Sequence, residues 1–392
     1  MRIALLTWDM PPAPTGLGRA ANEIARGLLA AGVDVTVFAA NHPASEVQDG
    51  LRIVSVPLSP GSFLARARLR ACRGHLAVPI AFRRAVERHG PFDLAETTNW
   101  YAPGALVRGM PVVVRCSTPA IDALDPAMSE RDRRDLLFAH AMERRTVLGA
   151  PVAIYNTEPH RRAMRDAYDL PEDHRSTVIG LSLGDDVIAR GSRAPWPPVG
   201  APRYLFVGRA ERRKGFDEVL GAFALLHAAE PDSRLDVVGM ERRDLDERAA
   251  ALGVPSEALA AATAHGRADD ATLHALLDAT HVVLAPSRYE SYGLVYREAA
   301  AWGRACVMSR EDPSANDFVE RVGSGVLAAR TEPEAIAAAV REARAQAAEL
   351  RRRGLAHAET LSRQRLGERT AAVYEAVLRT GRRDRASRRP VA

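Results

Sequence analysis

The feature that most constrains the fold is a rhythm: short apolar, β-rich runs alternate with amphipathic helical stretches along almost the whole chain. In the first half, "RIALLTW" reads as a strand, "ANEIARGLLAAG" as a helix ending on Gly32, and "DVTVFAA" as the next strand. "LRIVSVPL", "FDLAET", "PVVVRCS", "PVAIYNT" and "STVIGLS" continue the series. Apolar runs of this length, separated by helices, indicate buried parallel strands in α/β units. The stretch 193–203, "RAPWPPVGAPR", breaks the rhythm with four prolines and a glycine and is the best linker candidate. A second series follows, with strands "RYLFVGR", "RLDVVGM", "HVVLAPS" and "RACVMS" separated by helices, and two more helices closing the chain. The reading is an α/β chain of two doubly wound Rossmann-like domains, 1–193 and 204–375, joined by a linker at 194–203. The last helix is placed to pack back on the first domain, and a basic tail occupies 379–392.

Composition narrows the class. A chain of 392 residues, 26% charged and 47% hydrophobic, fits two ordinary soluble domains. The net charge of +5 is modest, and much of it sits in the tail "RTGRRDRASRRPVA". Elsewhere arginines are balanced by acids, with no basic groove of interleaved aromatics, which argues against a nucleic-acid partner. Cys72, Cys116 and Cys306 are odd in number and far apart, against a disulfide framework and in keeping with a reducing cytoplasm. "MRIALLTW" is too short for a signal core, and no stretch is long enough to span a bilayer, so a cytoplasmic location is expected.

Ligands of open α/β sheets bind beyond the carboxyl ends of the strands. That rule selects the loops after "YLFVG" and "HVVLAPS". The first carries Arg209 and Lys214, the chain's single lysine, just before a helix beginning near Gly215. Two cations beside the N–H groups of a helix start make a site for a phosphate or diphosphate. The plainer alternative is a pair of solvated surface charges. An ammonium is a point charge and a guanidinium a planar fork, so a lone lysine among arginines points to a tight site. The second loop reads "APSRYESYGLVYREAAAWG", with Glu290 in the loop and Glu298 in the following helix, eight residues on. A helical rise of about 1.5 Å per residue separates the two carboxylates by on the order of 10 Å, roughly the span from a hexose across a diphosphate to a ribose. Carboxylates accept hydrogen bonds from paired sugar hydroxyls. Glutamates at helix starts and on exposed faces are also common for reasons of charge alone.

These motifs, "FVGRAERRKGFDEVL" followed by "PSRYESYGLVYREAAAWG", resemble those of the retaining glycosyltransferases of family four, which have the GT-B fold. The N-terminal "PPAPTGLGRAANEIARGLLAAGVDVTVFAA" resembles the same family's glycine loop, helix and second strand. The resemblance implies two Rossmann-like domains facing across a cleft, and a nucleotide-sugar donor, by default UDP-linked, with no metal or other cofactor. It implies that Arg209 and Lys214 grip the donor diphosphate and that Glu298 binds the ribose. Glu290 would sit by the transferred hexose or aminohexose, with the N–H groups of Ser291, Tyr292 and Gly293 nearby. Gly266 and Arg267, next to His265, would lie by the base, and Gly16 and Gly18 would let backbone approach the phosphates. In that mechanism the acceptor attacks on the leaving group's own face and the departing phosphate takes its proton, so Arg209, Lys214 and Glu290 carry the catalysis without a protein nucleophile. One departure stands out: where many members carry a histidine after the strand equivalent to "PVVVRCS", this chain has Arg115-Cys116-Ser117-Thr118. Ser117 supplying a hydroxyl is one substitute, and a differently held sugar is the other.

In the GT-B fold the first domain holds the acceptor. Asp9, Glu96 and Glu158 fall at or near its expected strand ends, and Trp100 and Tyr101 could stack on a ring. Several carboxylates facing one cleft would suit a small cationic acceptor, such as an aminocyclitol or aminoglycoside intermediate of antibiotic biosynthesis. The rival is a lipid acceptor reached from a membrane surface through the basic, partly amphipathic stretch 64–90. Glycine and proline interrupt that stretch's apolar face, which favours the soluble reading. "GLGRAA" also matches a dinucleotide fingerprint, but "DMPPAPT" separates it from its strand and "FAANHP" lacks the expected acid, against a nicotinamide oxidoreductase. A non-catalytic sugar-binding protein would have no use for the Arg209–Lys214 pair.

Overall fold

The computed structural model describes residues 1–13, 15–58, 73–124 and 128–387; Cys72, the first part of the 64–90 stretch and the end of the tail lie outside them. The chain divides into two compact units, Met1–Ser182 with Arg363–Ala392, and Leu183–Ser362.

The first unit is built on eight strands: β1 (Arg2–Asp9), β2 (Asp34–Asn41), β3 (Glu46–Gln48), β4 (Leu51–Ser55), β5 (Leu94–Thr98), β6 (Val112–Arg115), β7 (Ala153–Tyr155) and β8 (Ser176–Val178). Their order is β3-β4-β2-β1-β5-β6-β7-β8, parallel throughout except for the β3–β4 hairpin at the edge. β5 is buried along its whole length. That burial is what a parallel sheet covered on both faces requires. The second unit has β9 (Arg203–Val207), β10 (Arg234–Val238), β11 (Ala262–Ala264), β12 (Val282–Leu284), β13 (Ala305–Ser309) and β14 (Val326–Ala328), in the all-parallel order β11-β10-β9-β12-β13-β14. Side chains alternate across a strand. Tyr204 and Phe206 accordingly pack with Phe216, Phe223 and Leu235, while Leu205 joins Tyr296, Trp302 and Phe318 in a separate core. Both units are therefore doubly wound Rossmann-like α/β domains. In each, the strand order reverses once, between β1 and β5 and between β9 and β12. Such a reversal is where loops diverge and ligands bind.

The domain limits differ from those expected. Residues 194–196 are fastened to the second unit rather than spanning two bodies: Arg351 donates to the Ala194 carbonyl and Arg304 to that of Pro195, each at 2.6 Å, and the Arg351 guanidinium lies 5.0 Å from the Trp196 ring. Prolines cannot donate but their carbonyls accept, so the start of a proline-rich run beside buried Arg304 and half-buried Arg351 becomes structure. At the other end the second unit stops at Ser362. The helix Arg363–Ser387 belongs to the first unit and carries the supposed tail as regular helix as far as Ser387. No helix among the described residues is long and apolar enough to cross a membrane.

Several contacts hold that last helix. Gly367 lies against the Gly16–Ala30 helix so closely that a Cβ on it would sit 1.8 Å from the Gly27 carbonyl oxygen. Buried Glu23 accepts from the Arg363 guanidinium, at 2.7 and 2.9 Å, and from Ser182. Deeper in, Glu96 accepts from Arg115 Nε at 2.8 Å and from the Tyr374 hydroxyl at 2.6 Å, and Arg115 also donates to Thr370. Removing one member of a buried ion pair strands the other charge. Glu96→Ala is therefore expected to lower the unfolding free energy by about 3–5 kcal/mol. Tyr374→Phe, which deletes a single hydrogen bond, should cost about 1–3 kcal/mol. Urea unfolding measures both, and a Glu96→Ala cost below that of Tyr374→Phe would contradict the assignment.

Candidate functional site

In the second unit the two loops flanking the strand reversal are stapled together. After β9 the chain passes through Gly208 and Arg209 into a single 3-10 turn, Arg212–Lys214, and then the helix Phe216–Ala229. After β12 it runs through Ser287–Gly293 into the helix Leu294–Ala301. Arg288 donates its backbone N–H to the Arg213 carbonyl at 2.8 Å and its guanidinium to the Arg212 carbonyl at 2.6 Å. Arg213 returns a bond to the Tyr289 carbonyl at 2.8 Å. Lys214 Nζ lies 2.5 Å from Glu290 Oε1, which also accepts from Ser287 Oγ at 2.7 Å. The lone lysine and the loop glutamate thus form one ion pair, mostly buried.

Around that pair the charges are ordered. Burial pushes the Glu290 carboxyl up, but Lys214 and Arg213 outweigh it and hold the group below its ordinary range. Asp312, which caps the helix Pro313–Val322, accepts from the Ser314 N–H at 3.0 Å and from the Glu290 N–H at 3.1 Å. Burial, together with the neighbouring Glu290 carboxylate, pushes Asp312 up to about 7. Arg209 is different: its side chain is 79% exposed and its contact is Glu211, at 2.7 Å.

Both helices that start here have glycine at the N-cap and no side-chain cap, Gly215 for one and Gly293 for the other. Their first N–H groups are left for an outside acceptor. Gly293 has φ +73°, and a Cβ there would fall 1.8 Å from the Tyr296 ring, so only glycine permits this turn. Beneath it the buried Arg297 guanidinium stacks 3.8 Å over the Tyr292 ring and donates to the Tyr292 carbonyl. Tyr292 is therefore a brace, with its side chain in the core, while Ser291 and the half-buried Glu298 stand nearer the surface.

The expected base-binding residues sit after β11, away from the reversal. Both polar groups of the Gly266 backbone are engaged internally, its N–H to the Met240 carbonyl and its carbonyl to the Gly239 N–H, whereas Arg267 is exposed. His265 is tied to Asp236 at 2.7 Å.

In the first unit several expectations need correction. Asp9 is buried, and its two oxygens accept from Thr15 Oγ1 and Asn41 Nδ2, each at 2.8 Å. Thr15 in turn accepts from the Gly18 N–H at 3.0 Å, so that N–H caps its own helix and is taken; only Gly16 has open space beside it. Glu96 lies in mid-strand, buried on Arg115, and faces no solvent. The Ser117 hydroxyl donates to Asn99 Oδ1 at 3.0 Å. Glu158 pairs with Arg161 at 2.6 Å within its own helix. Trp100, like Ser117 and Glu158, is half-buried.

Three kinds of functional residue were not expected. Arg213, Arg288 and Asp312 build the loop staple; Asp312-Pro313 is a recognisable helix start, but nothing local indicates that it meets Glu290. Glu143, fully buried and pushed by burial up to about 7, accepts from the Tyr101 and Ala120 N–H groups and from Tyr168 Oη. It thereby fixes the loops after β5 and β6. Trp8, at the end of β1, stacks on Tyr101 with centroids 5.0 Å apart.

Comparison with known proteins bears on the fold and the family. Residues 193–357 match the family described as glycosyl transferases group 1, and residues 15–181 match the glycosyl transferase 4-like domain. A glycogen synthase of Mycobacterium tuberculosis (strain CDC 1551 / Oshkosh) is 28% identical over 421 aligned positions, covering 100% of this chain and 98% of that protein. A D-inositol 3-phosphate glycosyltransferase of Arthrobacter sp. (strain FB24) is 27% identical, covering 75% of this chain and 74% of the other. Among solved structures, a sucrose-phosphate synthase from Thermosynechococcus elongatus superposes with a TM-score of 0.77 at 20% identity, over 97% of this chain and 100% of that one. The chain belongs to the group 1 glycosyltransferases, enzymes that take sugar from a nucleotide-sugar donor, and has the GT-B fold.

Proposed function

We propose that the enzyme moves a hexosyl group, with retention, from a UDP-linked sugar to a hydroxyl of a small polar acceptor. The observation that carries this reading is the Lys214–Glu290 pair, set between two uncapped helix starts at the strand reversal of the second unit. Cleaving the anomeric C–O bond leaves the electron pair, and negative charge, on the diphosphate while positive charge develops on the ring. Lys214 is tethered to Glu290 until a donor arrives; it then shifts to the diphosphate, and exposed Arg209 swings onto the same oxygens. The N–H groups of Ser291 to Gly293 add fixed dipoles, which need no reorganisation as the charge develops. Glu290, freed of part of its ion pair, faces the sugar, and Glu298 binds the ribose. The acceptor hydroxyl forms the new C–O bond on the face the diphosphate leaves, and its proton passes to the leaving phosphate oxygen. Positive charge comes from Arg209 and Lys214, so the step is written without a metal. Arg267 is the base-side contact. Asp9, Glu96 and Glu158 are engaged internally, so the case for a cationic aminocyclitol acceptor loses its carboxylates.

A donor that binds only the folded enzyme stabilises it, so saturating UDP-hexose should raise the melting temperature by about 2–4 °C or more. Lys214→Ala is expected to lower kcat/KM for the donor by about 10²–10³-fold, the usual loss for one preorganised charge contact. Glu298→Ala should raise the donor KM; steady-state kinetics with circular dichroism as a fold control reads both. Unfolding of both variants, or unchanged kinetics in either, would overturn the assignment.

The pH dependence has a defined sign. Asp312 has a folded pKa raised to about 7 from an ordinary 3.8, so its favourable term is complete below about 4 and is lost as pH rises through about 7. Glu290, held low, contributes in the opposite sense and at lower pH. Asp312→Asn keeps an acceptor oxygen for both N–H groups but cannot ionise. Its melting temperature relative to wild type should therefore climb between pH 5 and pH 8; a difference that stays constant would contradict the placement.

A further inference from the structure

The strand reversal of the first unit lies between β1 and β5; Trp8 lies at the end of β1, and the loop leaving β5 carries Trp100 and Tyr101. Trp8 stacks on Tyr101 at 5.0 Å with 26° between the planes, and Trp100 meets Tyr101 edge-on at 5.1 Å. All three rings are only half-buried. Neither indole N–H has a hydrogen-bond partner among the described residues, and neither is sealed from solvent. Three half-buried rings, each backed by a hydrophobic cluster, therefore bring two open donors to the position where this topology binds ligands.

The backbone beneath them is held in an uncommon conformation. Tyr101 and Ala102 have φ of +54° and +45°, although neither is glycine. Such strain persists only where surrounding contacts enforce it. Here they do: Glu143 Oε1 accepts from the Tyr101 N–H at 3.1 Å, and the Asn99 carbonyl accepts from the Ala102 N–H at 2.6 Å. Asn99 also binds Ser117 and Tyr168, so the platform is rigidly tied to the loop after β6.

Resting on the glycosyltransferase reading above, we propose that Trp8, Trp100 and Tyr101 form the acceptor subsite and bind a saturated polyol ring, a pyranose or cyclitol, through its C–H face. Such a ring pairs axial C–H groups with an aromatic face while its rim hydroxyls accept from the indole N–H groups. Asp9, Glu96, Glu143 and Glu158 are already engaged by neighbours, which weakens their attraction for a polyamine; Asp135, which acts on Tyr101, keeps one oxygen without a hydrogen-bond partner.

Tryptophan fluorescence tests this without requiring catalysis. In a Trp196→Phe background, which removes an indole 54% exposed in the second unit, the wild-type platform should give a saturable change with methyl α-D-glucopyranoside or myo-inositol, with Kd on the order of millimolar. Trp100→Ala and Tyr101→Ala should each weaken it about 10-fold or more, and Trp100→Phe should retain most of it, a comparison that separates loss of stacking from loss of fold. With UDP-glucose as donor, the same alanine variants should raise the acceptor KM while leaving the donor KM within about 3-fold. No saturable change with either ring, tighter binding of 2-deoxystreptamine than of the neutral rings, or an acceptor KM unmoved in Trp100→Ala overturns the subsite. Ring binding with no UDP-sugar turnover would instead keep the subsite and refute the donor assignment.

Discussion

The stapling of residues 209–214 to residues 287–293 is the interaction on which the rest of the second unit's chemistry depends. Neither loop has regular structure of its own beyond one 3-10 turn, yet each supplies half of a charged site. Reciprocal bonds between Arg288 and the Arg212 and Arg213 carbonyls, and between Arg213 and the Tyr289 carbonyl, convert two loops into one rigid piece. The Lys214–Glu290 pair holds a cation beside two helix starts, balanced by the carboxylate; in the proposed mechanism a more highly charged anion displaces that carboxylate. A lysine suits this exchange better than an arginine would: a flexible stem with a compact charge moves between partners, whereas a forked guanidinium commits to one geometry.

The first unit is organised on the same plan with different chemistry. Its strand reversal is lined by aromatic rings rather than cations, and its buried polar groups hold loops in place instead of facing a ligand. Glu96 and Glu143 illustrate this. One carboxylate anchors the C-terminal helix through Arg115 and Tyr374, and the other fixes two loop backbones. Buried charges of this kind earn specificity more than stability, since desolvation offsets most of the attraction.

Much of this was legible in the sequence. Strand and helix alternation gives the α/β class directly, because apolar period and run length are local properties. The switch-point rule then leads to the loops of Lys214 and Glu290, far apart in sequence, which the structure joins by an ion pair. What was not legible depends on distant partners. Glu96 looks like a strand-end acid until Tyr374, 278 residues away, is seen to donate to it. Asp9 reads as a cleft acid until Asn41 and Thr15 close on it, and the proline-rich run 194–203 reads as a linker until Arg304 and Arg351 bind its carbonyls. Trp8 reads as the end of a buried strand, and it does pack partly against the core. Its stacking on Tyr101 depends on a left-handed turn that no local propensity favours.

The most direct measurement is a structure of the enzyme with UDP bound. The account predicts the diphosphate at the starts of the Phe216–Ala229 and Leu294–Ala301 helices, with Lys214 Nζ moved from Glu290 to within about 3 Å of a phosphate oxygen. A nucleotide seated elsewhere, with Lys214 still on Glu290 and Arg209 in bulk solvent, would contradict it.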